Sequence, residues 1–89
     1  MAAWTVRVTP KAERGLARLS GQDRARVYRF LHERIPALID PRALGAALTG
    51  RFSGQWKYRV GDIRIIAEIR DKELVILVIE VGNRREVYR

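Results

Sequence analysis

From Trp56 onward the apolar residues recur at every second position, and a period of two admits strands rather than helices. The segment reads WKYRVGDIRIIAEIRDKELVILVIEVGNRREVYR. Gly61-Asp62 interrupts it with the composition of a two-residue hairpin turn. Such a turn pairs Val60 with Ile63 and sets Arg59 directly opposite Arg64. Trp56, Tyr58, Val60, Ile63, Ile65, Ala67 and Ile69 then share one apolar face, while Lys57, Arg59 and Arg64 share the other. Like charges facing each other across a sheet destabilise it by a few tenths of a kcal/mol to about 1. An anion between the two guanidinium groups removes that repulsion, and a phosphate fits because each group can grip it with two parallel N–H donors. The alternative is two solvated arginines splayed apart.

Asp71-Lys72 reads as a second two-residue turn. It predicts Glu68 opposite Val75, Ile66 opposite Leu77 and Arg64 opposite Ile79. The basic face is then bordered by Ile66, Val75, Leu77 and Ile79, an apolar margin able to exclude water or to seat a partner protein. The alternative is a second small core beneath the C-terminal segment. Strand parity puts Arg84 on the apolar side, so a bend at Gly82 is needed to bring it to Arg59 and Arg64.

The first half of the chain has a different period. Trp4, Val6 and Val8 alternate with Thr5 and Arg7, which predicts a half-buried strand. Thr9-Pro10 supplies an N-cap and a proline at the first helical position, opening a helix to about Leu19 with Ala12, Leu16 and Leu19 inward. Ser20-Gly21-Gln22-Asp23 has the form of a capping box. A second helix then buries Val27, Tyr28, Leu31 and Ile35, and Pro36 ends or kinks it. Asp40-Pro41 can start one more helical turn, and Gly45, Gly50 and Gly54 mark a loop. The expected architecture is α+β over residues 1–89 as one domain: an N-terminal strand, a helical hairpin and a three-stranded antiparallel meander.

Composition narrows the function. The net charge is +8 and the pI about 11.0, a balance suited to nucleic acid, anionic lipid or an acidic protein. The chain has no cysteine, which fits a reducing cytoplasm and leaves no thiolate metal site. Its single histidine, His32, lies beside the apolar stripe of the second helix, and neither it nor the scattered Glu68, Glu80 and Glu86 form a metal or paired-acid set. No cofactor is expected. The longest apolar run, Leu74 to Ile79, is too short to cross a bilayer, and MAAWTVRVTP lacks the apolar core of a signal peptide. Phosphate loops, dinucleotide fingerprints and nucleophile elbows are absent from the sequence. Lys, Arg and Tyr suit phosphate chemistry with a built-in nucleophile: RNA brings its own 2′-OH, and a protein need only orient it and stabilise charge.

Three segments, DPRALGAALTG, WKYRVGDIRIIAEI and VIEVGNRREVYR, resemble the RelE/ParE toxin superfamily, on the RelE side. The resemblance covers nearly the whole chain. It implies the toxin of a type II toxin–antitoxin system: a metal-independent endoribonuclease that cuts mRNA in the ribosomal A site, with a cognate acidic antitoxin as partner. It implies catalytic roles for five residues. Lys57 matches the first active-site lysine, and Arg59 the second basic position. Arg64 matches the arginine that stabilises the pentavalent phosphate, Arg84 the one near the leaving oxygen, and Tyr88 the tyrosine that stacks on the nucleotide. Arg51, Arg85 and Arg89 are further RNA-binding candidates. Ile66, Val75, Leu77 and Ile79 are the candidate antitoxin surface.

The chain departs from the family pattern at three points. Arg59 stands where some members have lysine; arginine does not deprotonate, so Lys57 is left as the base. Ala47 replaces a basic residue of the loop, and the chain stops at Arg89 without the C-terminal helix of some members. Two other readings stay open: a ParE-like toxin that binds DNA gyrase and cuts nothing, and a basic RNA-binding module without activity.

Overall fold

The computed structural model describes residues 4–83. The expected α+β architecture is what the chain adopts. Strand β1 (Thr5–Val8) leads into helix α1 (Pro10–Ala17) and helix α2 (Gly21–Arg29), which continues as one wider turn over Phe30–Arg34. A 3-10 turn (Pro41–Leu44), a two-residue strand β2 (Ala46–Ala47) and a second 3-10 turn (Gly50–Phe52) follow. Strands β3 (Trp56–Val60), β4 (Ile63–Arg70) and β5 (Val75–Asn83) complete one sheet in the order β1-β5-β4-β3-β2. β1 runs parallel to β5, and the other neighbours are antiparallel. The sequence reading did not include β2, whose two residues are too few to carry an alternation.

The helix starts are set by their caps. The Thr9 hydroxyl accepts from the Ala12 amide at 3.2 Å and donates to the Ile79 carbonyl at 3.0 Å, so one side chain starts α1 and ties it to β5. The Ser20 hydroxyl accepts from the Asp23 amide at 3.1 Å and starts α2. α1 ends at Ala17, two residues before the expected Leu19, yet Leu19 stays buried. Arg24 secures this break by donating to the carbonyls of Leu16, Ala17 and Leu19.

The core lies between the helices and one face of the sheet. Ala12, Leu16, Val27, Leu31 and Ile35 meet Tyr58, Ile63, Ile65, Ala67, Ile76, Val78 and Val81 there. Tyr28 does not join them, contrary to its place in the predicted stripe. It is 37% exposed and stacks on His32 one turn later, with ring centroids 5.8 Å apart. α1 lies so close to β5 that a Cβ on Gly15 would come within 2.0 Å of the Val81 carbonyl oxygen, which is why that position is glycine.

The β3–β4 register is the predicted one: Val60 pairs with Ile63 and Arg59 with Arg64 around Gly61, whose φ is 59°. The β4–β5 register is not. Glu68 pairs with Leu77 rather than Val75, Ile66 with Glu80 rather than Leu77, and Arg64 with Gly82 rather than Ile79. Two causes combine. The connection spans Asp71 to Leu74 rather than Asp71-Lys72 alone, closed by a Leu74 amide to Asp71 carbonyl bond of 3.3 Å, with Leu74 at φ 54°. A β-bulge then inserts Ile79, since Ala67 pairs with Val78 but Ile66 with Glu80. Beyond the bulge the parity of β5 is inverted, which puts Gly82 on the same face as Arg64; the expected bend bears on Arg84, which lies outside the described residues.

Candidate nucleic-acid interface

Two rows of residues cross the sheet face turned away from the helices. One runs Ala46, Lys57, Ile66, Glu80 across β2, β3, β4 and β5; the other runs Arg59, Arg64, Gly82 across β3, β4 and β5. Glycine at the end of the second row contributes no side chain of its own beside Arg64. Lys57 and Arg64 are half-buried and Arg59 is exposed. Among the described residues none of these three has a hydrogen-bond or ion-pair partner. Lys11, Arg26, Arg29, Arg42 and Arg70, by contrast, each hold a carboxylate. Three cations without counter-charges among the described residues, on one small patch, suit an anion with several oxygens.

The inner faces of β3 and β4 hold this patch in place. Tyr58, between Lys57 and Arg59, is fully buried, and its hydroxyl donates to the Pro41 carbonyl at 2.7 Å. Burial pushes its phenol up to about 12, against a smaller opposing effect of the Arg42 charge. Arg42 caps the opposite end of the hairpin. It meets Asp71 with two bonds of 2.9 and 2.6 Å, reaches Asp40 at 3.4 Å and lies 5.6 Å from the centre of the Trp56 ring. The hydrogen bond to Arg42 holds the Asp71 carboxyl below its ordinary range, and the same bond raises Arg42. Sequence reasoning gave Arg42 no role. Its signal was the Asp40-Pro41-Arg42 turn, in which the Asp40 carboxylate accepts from the Arg42 amide at 3.0 Å.

The other predicted residues distribute as follows. Arg51 is exposed on the Gly50–Phe52 turn with its guanidinium 4.9 Å from the Phe52 ring centre. Of the apolar border, Ile66 and Val75 are buried at 3% and 8% exposure, and Leu77 and Ile79 are half-buried. The β3–β4 register puts Ile66 beside Lys57, but the corrected β4–β5 register sets Val75 and Leu77 further along, next to Arg70 and Glu68. There they line a cleft of 450 Å³ with Arg7, Arg70 and Glu73. Arg84, Arg85, Tyr88 and Arg89 lie outside the described residues. No helix among the described residues is long and apolar enough to cross a membrane.

Solved structures share this fold. The toxin–antitoxin complex RelBE2 of Mycobacterium tuberculosis contains a chain 27% identical, matched over 97% of both chains with a TM-score of 0.87. The isolated RelE toxin of E. coli is 22% identical, with a TM-score of 0.70 over 97% of this chain and 92% of its own. The RelB–RelE complex of Methanococcus jannaschii is 17% identical, with a TM-score of 0.68 over 92% and 94%. Comparison with curated protein sequences returns no match. The family model described as the ParE toxin of the type II toxin–antitoxin system parDE matches residues 6–88, and the chain belongs to that toxin family, within the RelE/ParE superfamily.

Proposed function

We propose that this toxin cuts mRNA on the ribosome by turning the RNA's own 2′-OH against the adjacent phosphate. The observation that carries this reading is the direct opposition of Arg59 and Arg64, with Lys57 on the same face and no counter-charge on any of the three among the described residues. A surface built only to bind could spread its charges. Two guanidinium groups paired across a hairpin concentrate positive charge where a phosphate gains negative charge during displacement.

In the step proposed, the neutral amine form of Lys57 takes the proton of the 2′-OH and becomes the ammonium. The 2′ oxygen forms a bond to phosphorus, and the bond from phosphorus to the 5′ oxygen breaks. The leaving oxygen takes up a proton, giving a 2′,3′-cyclic phosphate and a 5′-OH. Arg59 and Arg64 hold the non-bridging oxygens while five oxygens surround phosphorus. Arg84 and Tyr88 complete the set by resemblance alone, as the residues beside the leaving oxygen and against the nucleotide base. An acidic antitoxin is the proposed partner. Support comes from the net charge of +8 and from the RelBE2 complex, a toxin–antitoxin assembly whose chain is matched over nearly its full length.

The match to a ParE model favours a second reading, in which the toxin inhibits DNA gyrase and leaves RNA intact. Brief induction in cells, with mRNA ends mapped at nucleotide resolution, separates the two. Cuts inside translated codons bearing 2′,3′-cyclic phosphate ends are expected. Intact mRNA with inhibited supercoiling would establish the second reading. Products with 3′-OH and 5′-phosphate ends would sink the displacement mechanism.

A further inference from the structure

β2 covers β3 only at Trp56 and Lys57, so among the described residues the edge of β3 from Tyr58 to Val60 has no neighbouring strand. Opposite that edge stands the exposed side of the second helix. Arg26, Arg29, Phe30, Glu33 and Arg34 recur there at intervals of three and four residues, which places them on one helical face. With Val60 they line a groove of 460 Å³. A second hollow of 330 Å³ adjoins it, because Phe30, Arg34 and Val60 line both, and Leu44 and Arg59 complete its wall. Arg59 therefore belongs to two surfaces. It faces Arg64 on the outer side of the hairpin and closes the end of the groove on the helical side. The wide turn contributes to the shape of this passage. Its closing bond runs five residues, from the Ile35 amide to the Phe30 carbonyl at 3.0 Å, where an α-helix spans four.

We infer that this groove carries the RNA strand onward from the hairpin site, as a second track for its phosphates. The inference rests on the RNA-cutting reading above. Arg34 and Arg59 hold no carboxylate among the described residues, and the contacts of Arg26 to Asp23 and of Arg29 to Glu33 are loose, at 3.8 and 3.9 Å, with Glu33 alone of these carboxylates lining the groove. Arg26 also lies over the turn, with its guanidinium 3.3 Å from where a Cβ on Gly61 would sit. The half-buried Phe30 ring and Val60 give the groove an apolar floor beneath a cationic rim, the combination that holds single strands through base contact and backbone charge together. An acidic peptide could answer the charges alone. What favours RNA is continuity: the residue that ends the groove is one of the pair proposed to hold the scissile phosphate, so a strand bound at one is led to the other.

The test uses 2′-O-methyl RNA, which cannot be cut, in lengths of about 4 and about 12 nucleotides. Binding to the whole chain is measured by fluorescence anisotropy at several salt concentrations. The longer RNA is expected to bind about tenfold tighter than the shorter, with a steeper salt dependence. Arg29→Ala/Arg34→Ala should abolish that gain and lower the salt slope by about 1.4, from about 0.7 for each lost phosphate contact. Arg14→Ala/Arg18→Ala removes the same charge from α1 and should keep the gain. A gain that survives Arg29→Ala/Arg34→Ala overturns the groove and leaves the hairpin reading standing, as does an equal loss in both double variants. Failure of both RNAs to bind overturns the groove and leaves the hairpin reading to the mapped mRNA ends. If a poly-glutamate peptide of equal charge takes the groove as tightly as the longer RNA and loses affinity in Arg29→Ala/Arg34→Ala, the groove serves an acidic protein segment and the RNA assignment is wrong.

Discussion

Arg59 and Arg64 occupy paired positions on β3 and β4, on the sheet face turned away from the helices, with Gly82 in line beyond Arg64. The pairing holds two like charges together. Replacing Arg64 by alanine therefore separates function from stability. Toxicity should fall to background, because the charge opposing the phosphate is gone. The melting temperature should stay level or rise slightly, since the relieved repulsion amounts to a few tenths of a kcal/mol to about 1. A fully toxic variant, or one that melts well below wild type, contradicts the assignment.

Tyr58 supports this patch from the inner side. Tyr58→Phe leaves the ring in place and strips the Pro41 carbonyl of its donor. An unsatisfied buried acceptor costs about 1–3 kcal/mol, which denaturant unfolding should register. The phenol also gives a pH signature. Its folded value is raised from 10.0 to about 12, so the stability it adds is complete below 10 and is lost as pH climbs through about 12. The ultraviolet difference between wild type and Tyr58→Phe should show no ionising step until that upper range. A step near 10 would mean that the ring is not enclosed.

The Arg42–Asp71 pair behaves in the opposite sense. Asp71 is held below its ordinary value of 3.8, so its contribution is present above that value and is lost as pH falls through the lower, folded one. Arg42 is raised and stays charged throughout the accessible range. Asp71→Asn should thus reduce stability slightly at neutral pH, the pair being exposed, and the difference from wild type should vanish in strong acid. Thermal melts at several pH values measure this. A difference that widens on acidification would contradict the pairing.

Gly15 and Gly21 make a matched comparison. A Cβ at Gly15 collides with the backbone of Val81, whereas one at Gly21 meets nothing within 4 Å. Gly15→Ala should cost about 1–3 kcal/mol by forcing α1 away from β5. Gly21→Ala should be neutral or stabilising by up to about 1 kcal/mol. Equal stability of the two variants would show that α1 does not press on β5.

What the sequence disclosed followed the locality of each signal. The Gly61-Asp62 turn, the Thr9 and Ser20 caps and the alternation from Trp56 are all encoded within a few residues, and each gives the structure it predicts. Asp71-Lys72 misled because its turn is completed by Leu74, a residue that disfavours the left-handed backbone it adopts. The bulge at Ile79 leaves no mark in an unbroken apolar run. Tyr28 fits the helical stripe but sits at its margin, where stacking on His32 competes with burial. Within the site, Lys57, Arg59 and Arg64 were legible because hairpin register is arithmetic. Arg42 was not, because its partners Asp71 and Trp56 are distant in the chain and its neighbourhood exists only after folding.

The parallel pairing of β1 with β5 has a bearing on how the protein is made. β1 has no other neighbour in the sheet, and the Thr9 hydroxyl that starts α1 bonds to a carbonyl 70 residues away. The first strand and first helix thus wait for residues 75–83 before they have a surface to rest on. Pairing across so long a stretch of chain carries a loop-closure cost that local hairpins avoid, and it slows folding. During synthesis this segment leaves the ribosome well after the strand and helix that depend on it. The hairpin that carries Arg59 and Arg64 can form earlier, but the layer that buries its inner face cannot close until β5 arrives. The core of the toxin is thereby held open until β5 has been made.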